Sequence, residues 1–295
     1  MGMSDGKTLP ILTVVAVLIA FWYAMTVWLN APQEWDKVQR AETTIGFSQL
    51  VTNTMVQERP VLPAPHQVAQ EIWKTTGAMV QKGRPFSKRS LIYHSWVTLS
   101  ATLLGFLIGT ALGIALAVGI VHNLAMDKSV MPWVITSQTI PILAIAPMII
   151  VVLNAAGISG LFPKALISTY LSFFPVVVGM VKGLRSPERS QLDLMHTYNA
   201  SRWQTFWKLR WPSSMPYLFT SLKVAVAISL VGAIVGELPT GAVAGLGARL
   251  LAGSYYGQTI QIWSALFVAA ALAAVLVMLI GLGHRLVLKR MGQAA

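Results

Sequence analysis

The residue types that carry out catalysis or bind metals are sparse in this sequence, and their spacing favours neither kind of chemistry. Cysteine is absent, which excludes disulfides, thiolate metal sites and cysteine nucleophiles. Neither paired acids nor a serine–histidine arrangement occurs. We therefore expect that this chain is not an enzyme and holds no metal. The histidines do not recur at a spacing that places two ligands on one helix face; they are His66, His94, His122, His196 and His284.

Polar residues with informative spacing are concentrated between Leu184 and Tyr217. Ser186 followed by Pro187 predicts the start of a short helix, because the first helical turn leaves its amides unpaired and proline lacks one. Asn199 suits the left-handed conformation in which many helices end. These signals predict a first short helix that closes with a sharp turn.

A second short helix is predicted directly after that turn. Ser201 and Gln204 have the spacing of a capping box, in which each side chain pairs with the other residue's backbone amide. Pro212 is expected to end this helix, because proline disrupts a helix interior. The segment 184–215 is thus predicted to hold two short helices at a rigid turn.

Aromatic and basic residues lie on different faces of the second short helix. Such interleaving occurs in proteins that bind single-stranded nucleic acid, in helices at a membrane surface and in helices inserted into a partner's groove. The membrane character of the rest of the chain favours the last two, so we expect no nucleic-acid partner. The aromatic residues are Trp203, Phe206, Trp207 and Trp211, and the basic ones are Arg202, Lys208 and Arg210.

The composition of the 295 residues is that of a membrane protein. Hydrophobic residues make up 55% and charged residues 11%, and the mean hydropathy is +0.63. Soluble domains carry roughly a quarter charged residues. An ordinary soluble enzyme is therefore not expected, and the net charge of +12 is distributed over loops and linkers rather than over a nucleic-acid surface.

Six apolar stretches have, or approach, the length of about 20 residues that a helix needs to cross a bilayer. The first is longer than the apolar part of a signal peptide, so we expect it to be retained. We predict an all-α, polytopic membrane protein with six transmembrane helices embedded in a lipid bilayer. The stretches are Leu9–Leu29, Ser95–Val121, Met131–Leu153, Leu161–Val181, Tyr217–Gly236 and Gln261–Leu282.

The distribution of basic residues predicts the orientation. The segment Lys182–Met215 carries six basic residues against two acids, and the tail after the last span carries Arg285, Lys289 and Arg290 without an acid. Cytoplasmic loops are enriched in lysine and arginine. We therefore place this segment and, because the predicted spans are even in number, both termini in the cytoplasm.

The chain is divided into three parts on this basis. Residues 1–30 form an N-terminal accessory transmembrane helix, residues 31–92 an external linker, and residues 93–290 the main transmembrane domain. The linker is predicted to be polar and irregular up to Arg59 and then to contain an amphipathic segment. This segment is either a helix that covers the bundle or a binding element; its apolar positions are Val68, Ile72, Trp73 and Met79.

Gly105, Gly109 and Gly113 place a small residue at every fourth position of the second predicted span. This spacing predicts a groove along one helix face where another helix can approach closely. The sequence alone does not indicate which helix occupies the groove.

Four residues are candidates for a translocation pathway. Pro141, together with Pro147, is expected to break the third span, and Gln138 and Thr139 precede the break. These polar groups either bond locally to the backbone or line a path. Glu237 is an acid near the outer end of the fifth span, where ionisable residues are often functional. It either pairs structurally with Arg249 or the following loop's backbone, or acts in the pathway.

The loop residues resemble the coupling loop of ABC importer permeases. That loop usually reads Glu-Ala-Ala, three residues and Gly, followed further on by Leu-Pro. Asp193 stands in the place of the Glu and Asn199 in the place of the Gly, and the run from Tyr198 through Ala200 to Ser201 forms the turn. Trp211-Pro212 stands in the Leu-Pro place, whereas Leu194-Met195 departs from the two alanines.

Further similarity extends over most of the chain from Leu62 onward. The run Leu62–Val68 resembles the proline-rich segment of the subgroup that imports nitrate, sulfonates and taurine, which also includes members for vitamin precursors. Ile140-Pro141 with Ala146-Pro147 resembles its third helix. Gly236-Glu237 with Ala244–Gly247 resembles its fifth helix and outer loop.

The resemblance implies a permease subunit of an ATP-driven importer in a bacterial inner membrane. Two such chains, which we expect to be identical, would form the pore, two ABC ATPase subunits would bind ATP and Mg²⁺, and an extracytoplasmic binding protein would deliver a small anion or heterocycle. No cofactor is expected in this chain itself. The alternative is a stand-alone secondary transporter of a small solute, which would bear intramembrane charges and internal inverted repeats.

Overall fold

The computed structural model describes residues 5–239 and 243–292, and none of these residues lies in a β-strand. The first four residues of the predicted accessory domain lie outside this range. The predicted all-α fold is confirmed. The helices are α1 (Asp5–Arg40), α2 (Phe47–Val56), α3 (Pro65–Thr75), α4 (Gly77–Gln81), α5 (Leu91–His122), α6 (Leu124–Thr136), α7 (Ile142–Ala155), α8 (Leu161–Leu184), α9 (Arg189–Thr197), α10 (Arg202–Thr205), α11 (Trp211–Glu237), α12 (Leu246–Tyr255) and α13 (Thr259–Arg290), with a 3₁₀-helix at Ser137–Thr139 and a π-helix at Phe206–Arg210.

Five helical runs among the described residues are long and apolar enough to cross a membrane. They are α5, α8, α13, most of α1, and the run Arg202–Glu237 that contains α10 and α11. Helices α6 and α7 pass the same test only as a pair, which is bent by 100°. The multi-pass membrane fold is confirmed, with five spans, or six if the bent pair is counted as one.

The third predicted span, Met131–Leu153, is broken at Pro141, as expected from the sequence. The bend lies at Ile140-Pro141, where extended backbone separates the 3₁₀-helix from α7. Proline at this position has no amide to continue the helical ladder. Pro147, which was also expected to break the span, lies inside α7.

The described residues form two compact units. The first consists of the residues up to Tyr93 with Arg249–Val268, and the second of His94–Ala248 with the residues from Ala269 onward.

In the first unit, the expectation of an irregular stretch up to Arg59 is wrong. Helix α1 continues to Arg40, and α2 follows after a short connection. The reason is a buried polar network between the two helices. The Asn30 side chain donates to the Thr54 carbonyl at 3.2 Å, and Gln57 Nε2 donates to Glu34 Oε1 at 2.7 Å.

The predicted amphipathic segment forms α3. Pro65 is at its first turn, Val68 faces inward and Trp73 is exposed. The helix ends at Thr75, before the position of Met79, which lies in α4.

In the second unit, α8 packs against both α5 and α11. A Cβ added at Gly105 would lie 2.6 Å from the Ala165 carbonyl oxygen, and one added at Gly113 would lie 2.7 Å from Val176 Cβ. Gly109 faces Ser172 in the same way. The glycine groove on α5 is thus occupied by α8 of the same chain.

Candidate functional site

The connecting segment, defined as residues 185–201 between α8 and α10, contains one short helix. Helix α9 begins after Glu188, whose backbone amide donates to Gln191 Oε1 at 3.1 Å. The predicted start at Ser186-Pro187 is wrong by two residues. Ser186 Oγ donates back to the Gly183 carbonyl at 2.7 Å, so this serine terminates α8 instead of starting α9.

The turn after α9 has the predicted geometry. Asn199 has φ +50°, in the left-handed region, and the Ala200 amide donates to the Met195 carbonyl at 3.0 Å. The capping box is also present. The Gln204 amide donates to Ser201 Oγ at 3.2 Å, and the Ser201 amide donates to Gln204 Oε1 at 2.9 Å.

The prediction that Pro212 ends a second short helix is wrong. The helical run continues from Arg202 to Glu237 over 36 residues. Only Trp211 separates the π-helix Phe206–Arg210 from the proline, which occupies the first turn of α11. A π-turn has a wider backbone than an α-helix, and this gives the proline ring room that a regular helix interior would deny it.

Helix α9 and the turn after it form one exposed surface. Every residue of α9 is exposed or half-buried. Tyr198 is 77% exposed and Leu194 is 55% exposed. Exposed apolar side chains that lie together often mark a partner site. Leu194 was not among the predicted site residues, because it replaces an alanine in the family pattern; its position beside the turn is what identifies it.

The structure places the predicted coupling residues in two groups. Asp193, Tyr198, Asn199 and Ser201 are exposed and Ala200 is half-buried, all at or next to the turn. Trp211 and Pro212 follow the π-helix and are partly buried.

An aromatic cluster supports the beginning of the long helical run. Phe206 is buried and its ring lies 6.0 Å from that of Trp203 and 5.1 Å from that of Trp207. The His122 ring, at the end of α5, meets Phe206 edge-on at 5.3 Å. Trp203 and Trp207 remain exposed. This arrangement fixes the run against α5 while leaving two indole rings on the surface.

Two polar contacts hold the chain at the beginning of the connecting segment. Arg185 forms an ion pair with Asp127 of α6 at 2.8 Å. Arg210 Nη1 donates to the Leu184 carbonyl at 3.4 Å. A cleft of about 440 Å³ lies beneath the turn; it is lined by Val121, His122, Leu192, His196, Ala200, Arg202, Thr205 and Arg210.

Three candidate pathway residues lie at the bend between α6 and α7. Gln138, Thr139 and Pro141 are exposed in the single chain. Thr139 Oγ1 donates to the Thr136 carbonyl at 2.8 Å, so this hydroxyl bonds locally to the backbone.

Glu237 is instead completely buried. Its carboxylate accepts hydrogen bonds from Thr98 Oγ1 and from the Gly247 amide, the latter at 2.8 Å, and Lys164 Nζ lies 3.8 Å from Oε1. Two structural partners of Glu237 are predicted from the sequence, namely Arg249 and the backbone of the following loop. The bond from the Gly247 amide shows that Glu237 contacts the loop backbone. The four candidate pathway residues therefore do not share one surface within a single chain.

Known proteins similar to this chain establish its family. Residues 109–293 match the family described as binding-protein-dependent transport system inner membrane component. The riboflavin transport system permease protein RibX of Chloroflexus aurantiacus is 34% identical over 78% of this chain and 80% of that protein. The formylaminopyrimidine transport permease protein ThiX of Halalkalibacterium halodurans is 30% identical over 71% of this chain and 79% of that protein.

A more distant relative is the nitrate import permease protein NrtB of Leptolyngbya laminosa, which is 23% identical over 61% of this chain and 62% of that protein. These similarities favour an importer permease over a stand-alone secondary transporter. The chain belongs to the family of binding-protein-dependent inner membrane components, and it is an ABC importer permease of the group that includes the nitrate and sulfonate permeases.

Proposed function

We propose that this permease works with two ABC ATPase subunits, which bind ATP and Mg²⁺, and that it pairs with a second copy of itself. An extracytoplasmic binding protein delivers the substrate from the other side of the membrane. The connecting segment and the end of α13 face the cytoplasm, because the segment Lys182–Met215 and the end of α13 are rich in basic residues. Six spans, with the bent pair counted as one, support the same side for the N-terminus.

The observation that carries this proposal is the exposed turn at Asn199. Helix α9 contributes no buried side chain to the fold, yet both sides of the turn are held by backbone and capping hydrogen bonds. A rigid projection with Leu194 and Tyr198 on its surface is suited to a groove of a partner protein. We assign this groove to the ATPase, so that a movement of the ATPase displaces the turn.

The substrate we propose is a heterocyclic vitamin or vitamin precursor rather than a small anion. Support comes from the two relatives with identity of 30% or more, which carry the names of riboflavin and formylaminopyrimidine permeases, whereas the nitrate permease is 23% identical. In such importers selectivity resides largely in the binding protein, so the permease itself supplies the passage.

The proposed contact between the ATPase and the exposed surface beside the turn is tested by placing a charged side chain on α9. We expect Leu194→Glu to abolish co-purification of the ATPase from membranes that express both proteins, because the change puts a charge into an apolar contact. Ser190→Glu, on the same exposed helix, is the matched control and retains the ATPase. Equal retention by both variants would contradict the assignment of the groove.

The substrate is tested with the complete importer in proteoliposomes. Uptake of riboflavin or a pyrimidine precursor is expected to require ATP and the binding protein, whereas nitrate uptake is not expected. Uptake of nitrate alone would contradict the substrate class. Uptake that persists without ATP would contradict the ATP-driven mechanism and restore the secondary transporter.

A further inference from the structure

A pocket of about 420 Å³ lies between α11 and α13 in the second unit. Its wall combines basic and apolar side chains, and no acid is among the described residues that line it. A positive charge inside a membrane-spanning helix is costly unless it is paired or reaches the interface. The lining residues are Lys223, Val277, Met278, Gly281, Leu282, His284, Arg285 and Leu288.

No acid among the described residues neutralises the positive charge of this pocket. The Lys223 side chain lies across Gly281, since a Cβ added at that glycine would be 3.7 Å from Lys223 Cε. Within the described part of the chain, neither Lys223 nor Arg285 forms an ion pair. The pocket therefore offers two cationic groups to a ligand.

His284 is a second, independent observation that points to a ligand. Its ring stacks on Phe219 with centroids 5.1 Å apart and an interplanar angle of 11°, so its orientation is fixed. Its Nε2 atom is buried and has no hydrogen-bond partner among the residues that the structure describes. Buried polar atoms are nearly always paired, and an unpaired one requires an explanation.

We propose that this pocket binds the phosphate group of an acidic phospholipid. Lys223, His284 and Arg285 would hold the phosphate, whereas Val277 and Met278 lie along the same helix about 12 Å toward its middle, where the glycerol and acyl chains of a lipid would lie. A free phosphate would leave this apolar wall uncovered. Basic pockets between membrane helices on the cytoplasmic side are suited to acidic headgroups.

The proposal is tested by native mass spectrometry of the full-length chain in detergent, titrated with phosphatidylglycerol, phosphatidylcholine or inorganic phosphate. We expect phosphatidylglycerol to bind and the other two not to compete. The double variant Lys223→Gln/Arg285→Gln should bind it at least tenfold more weakly, since each basic residue beside an acidic lipid contributes roughly fivefold. The matched control is Lys289→Gln/Arg290→Gln, which removes the same number of positive charges from α13 outside the pocket.

A second variant distinguishes the contribution of the pocket's open volume to lipid binding from the contribution of its positive charge. Gly281→Leu keeps every basic residue and fills the pocket, and we expect it to weaken phosphatidylglycerol binding as the double variant does, with the melting temperature measured alongside. If the double variant fails to fold, the result for Gly281→Leu decides.

Four results would overturn the proposal. The first is an equal loss of binding in the control pair, and the second is equal binding of phosphatidylcholine. The third is tight binding of inorganic phosphate that phosphatidylglycerol does not displace, which would assign the site to a soluble anion. A loss of dimer in the double variant with unchanged lipid binding would likewise assign the surface to a second copy of the chain.

Discussion

Thr98 Oγ1 lies 3.0 Å and 3.1 Å from the two carboxylate oxygens of Glu237, and it joins α5 to the end of α11 across 139 residues of sequence. The same hydroxyl accepts a hydrogen bond from the Leu246 amide at 2.8 Å. Glu237 and Thr98 together therefore bind the beginning of α12 to two membrane helices.

We predict that Glu237→Ala lowers the free energy of unfolding by about 3–5 kcal/mol, because the change leaves Lys164 and the Gly247 amide without their buried partner. Chemical unfolding in detergent measures the difference. Asp36→Ala removes an exposed acid and is expected to change stability by less than about 0.5 kcal/mol. A similar stability for both variants would show that the buried carboxylate contributes nothing.

The left-handed backbone at Asn199 leads to a second prediction. Asn199→Val should lower the substrate-stimulated ATPase rate of the assembled importer about tenfold, because a left-handed conformation costs a β-branched residue roughly 1–2 kcal/mol. Asn199→Gly should stay within about twofold of the parent rate, since glycine adopts positive φ readily. The control is Ser190→Val, an exposed position of α9. A Val variant that is as active as the Gly variant would mean that the turn geometry does not matter for coupling.

The contact of α5 with α8 gives a third prediction. Gly105→Ala should lower the free energy of unfolding by about 1–3 kcal/mol, because the new methyl group would lie 2.6 Å from the Ala165 carbonyl oxygen. Gly283→Ala is the control, since its methyl group would lie 3.7 Å from Phe219, an ordinary contact. It should be neutral or up to about 1 kcal/mol stabilising, because alanine is the better helix former. Thermal unfolding of both variants in detergent provides the comparison, and equal losses would refute close packing at Gly105.

The first unit provides a fourth prediction. Asn30 Oδ1 accepts from the amides of Val61 and Leu62 at 2.8 Å and 3.1 Å, and Nδ2 donates to the Leu62 carbonyl at 2.9 Å. Asn30→Leu should therefore lower the free energy of unfolding by about 3 kcal/mol or more, since each buried polar group left without a hydrogen-bond partner costs roughly 1–3 kcal/mol.

Limited proteolysis within residues 41–62 reports on this network directly. The Asn30→Leu variant should be cleaved there faster than the parent protein. Gln39→Leu, an exposed change in the same helix, serves as control and should leave the cleavage rate unchanged. If Asn30→Leu is cleaved no faster than the control, the network does not hold the segment.

The turn at Asn199 was predictable because its sequence signals are local. Contacts between residues far apart in the sequence were not predictable. Asn199 and the Ser201–Gln204 capping box depend on residues within a few positions of each other, so their spacing alone indicates the geometry. The continuation of the helix through Pro212 depends on the π-helix before it, for which propensities carry no distinct signal. The rule that proline ends a helix therefore led to the wrong prediction.

The environment of Glu237 illustrates the same limit. Glu237 is an acid near the end of a predicted span, and this indicated a structural or functional role. The backbone of the following loop was one of its predicted partners. Thr98 and Lys164 could not be identified, because 139 and 73 residues separate them from Glu237 and only the packing of α5, α8 and α11 brings them together. Likewise, α2 was missed because its end is held by another helix: Asn30 donates to the Thr54 carbonyl, and Gln57, directly after α2, donates to Glu34.

The uninterrupted helical run from Arg202 to Glu237 has 36 residues and is therefore about 54 Å long. One of its ends follows the Asn199 turn, and the other carries the carboxylate that holds Gly247. The π-helix Phe206–Arg210 and the prolines Pro212 and Pro216 lie near the beginning of this run, where a helix can bend. The part from Tyr217 to Glu237 contains no such break and is expected to move as one rigid piece. Probes at the two ends of this piece would therefore relax at a single rate in a transport cycle, whereas a probe at the Asn199 turn would relax at its own rate.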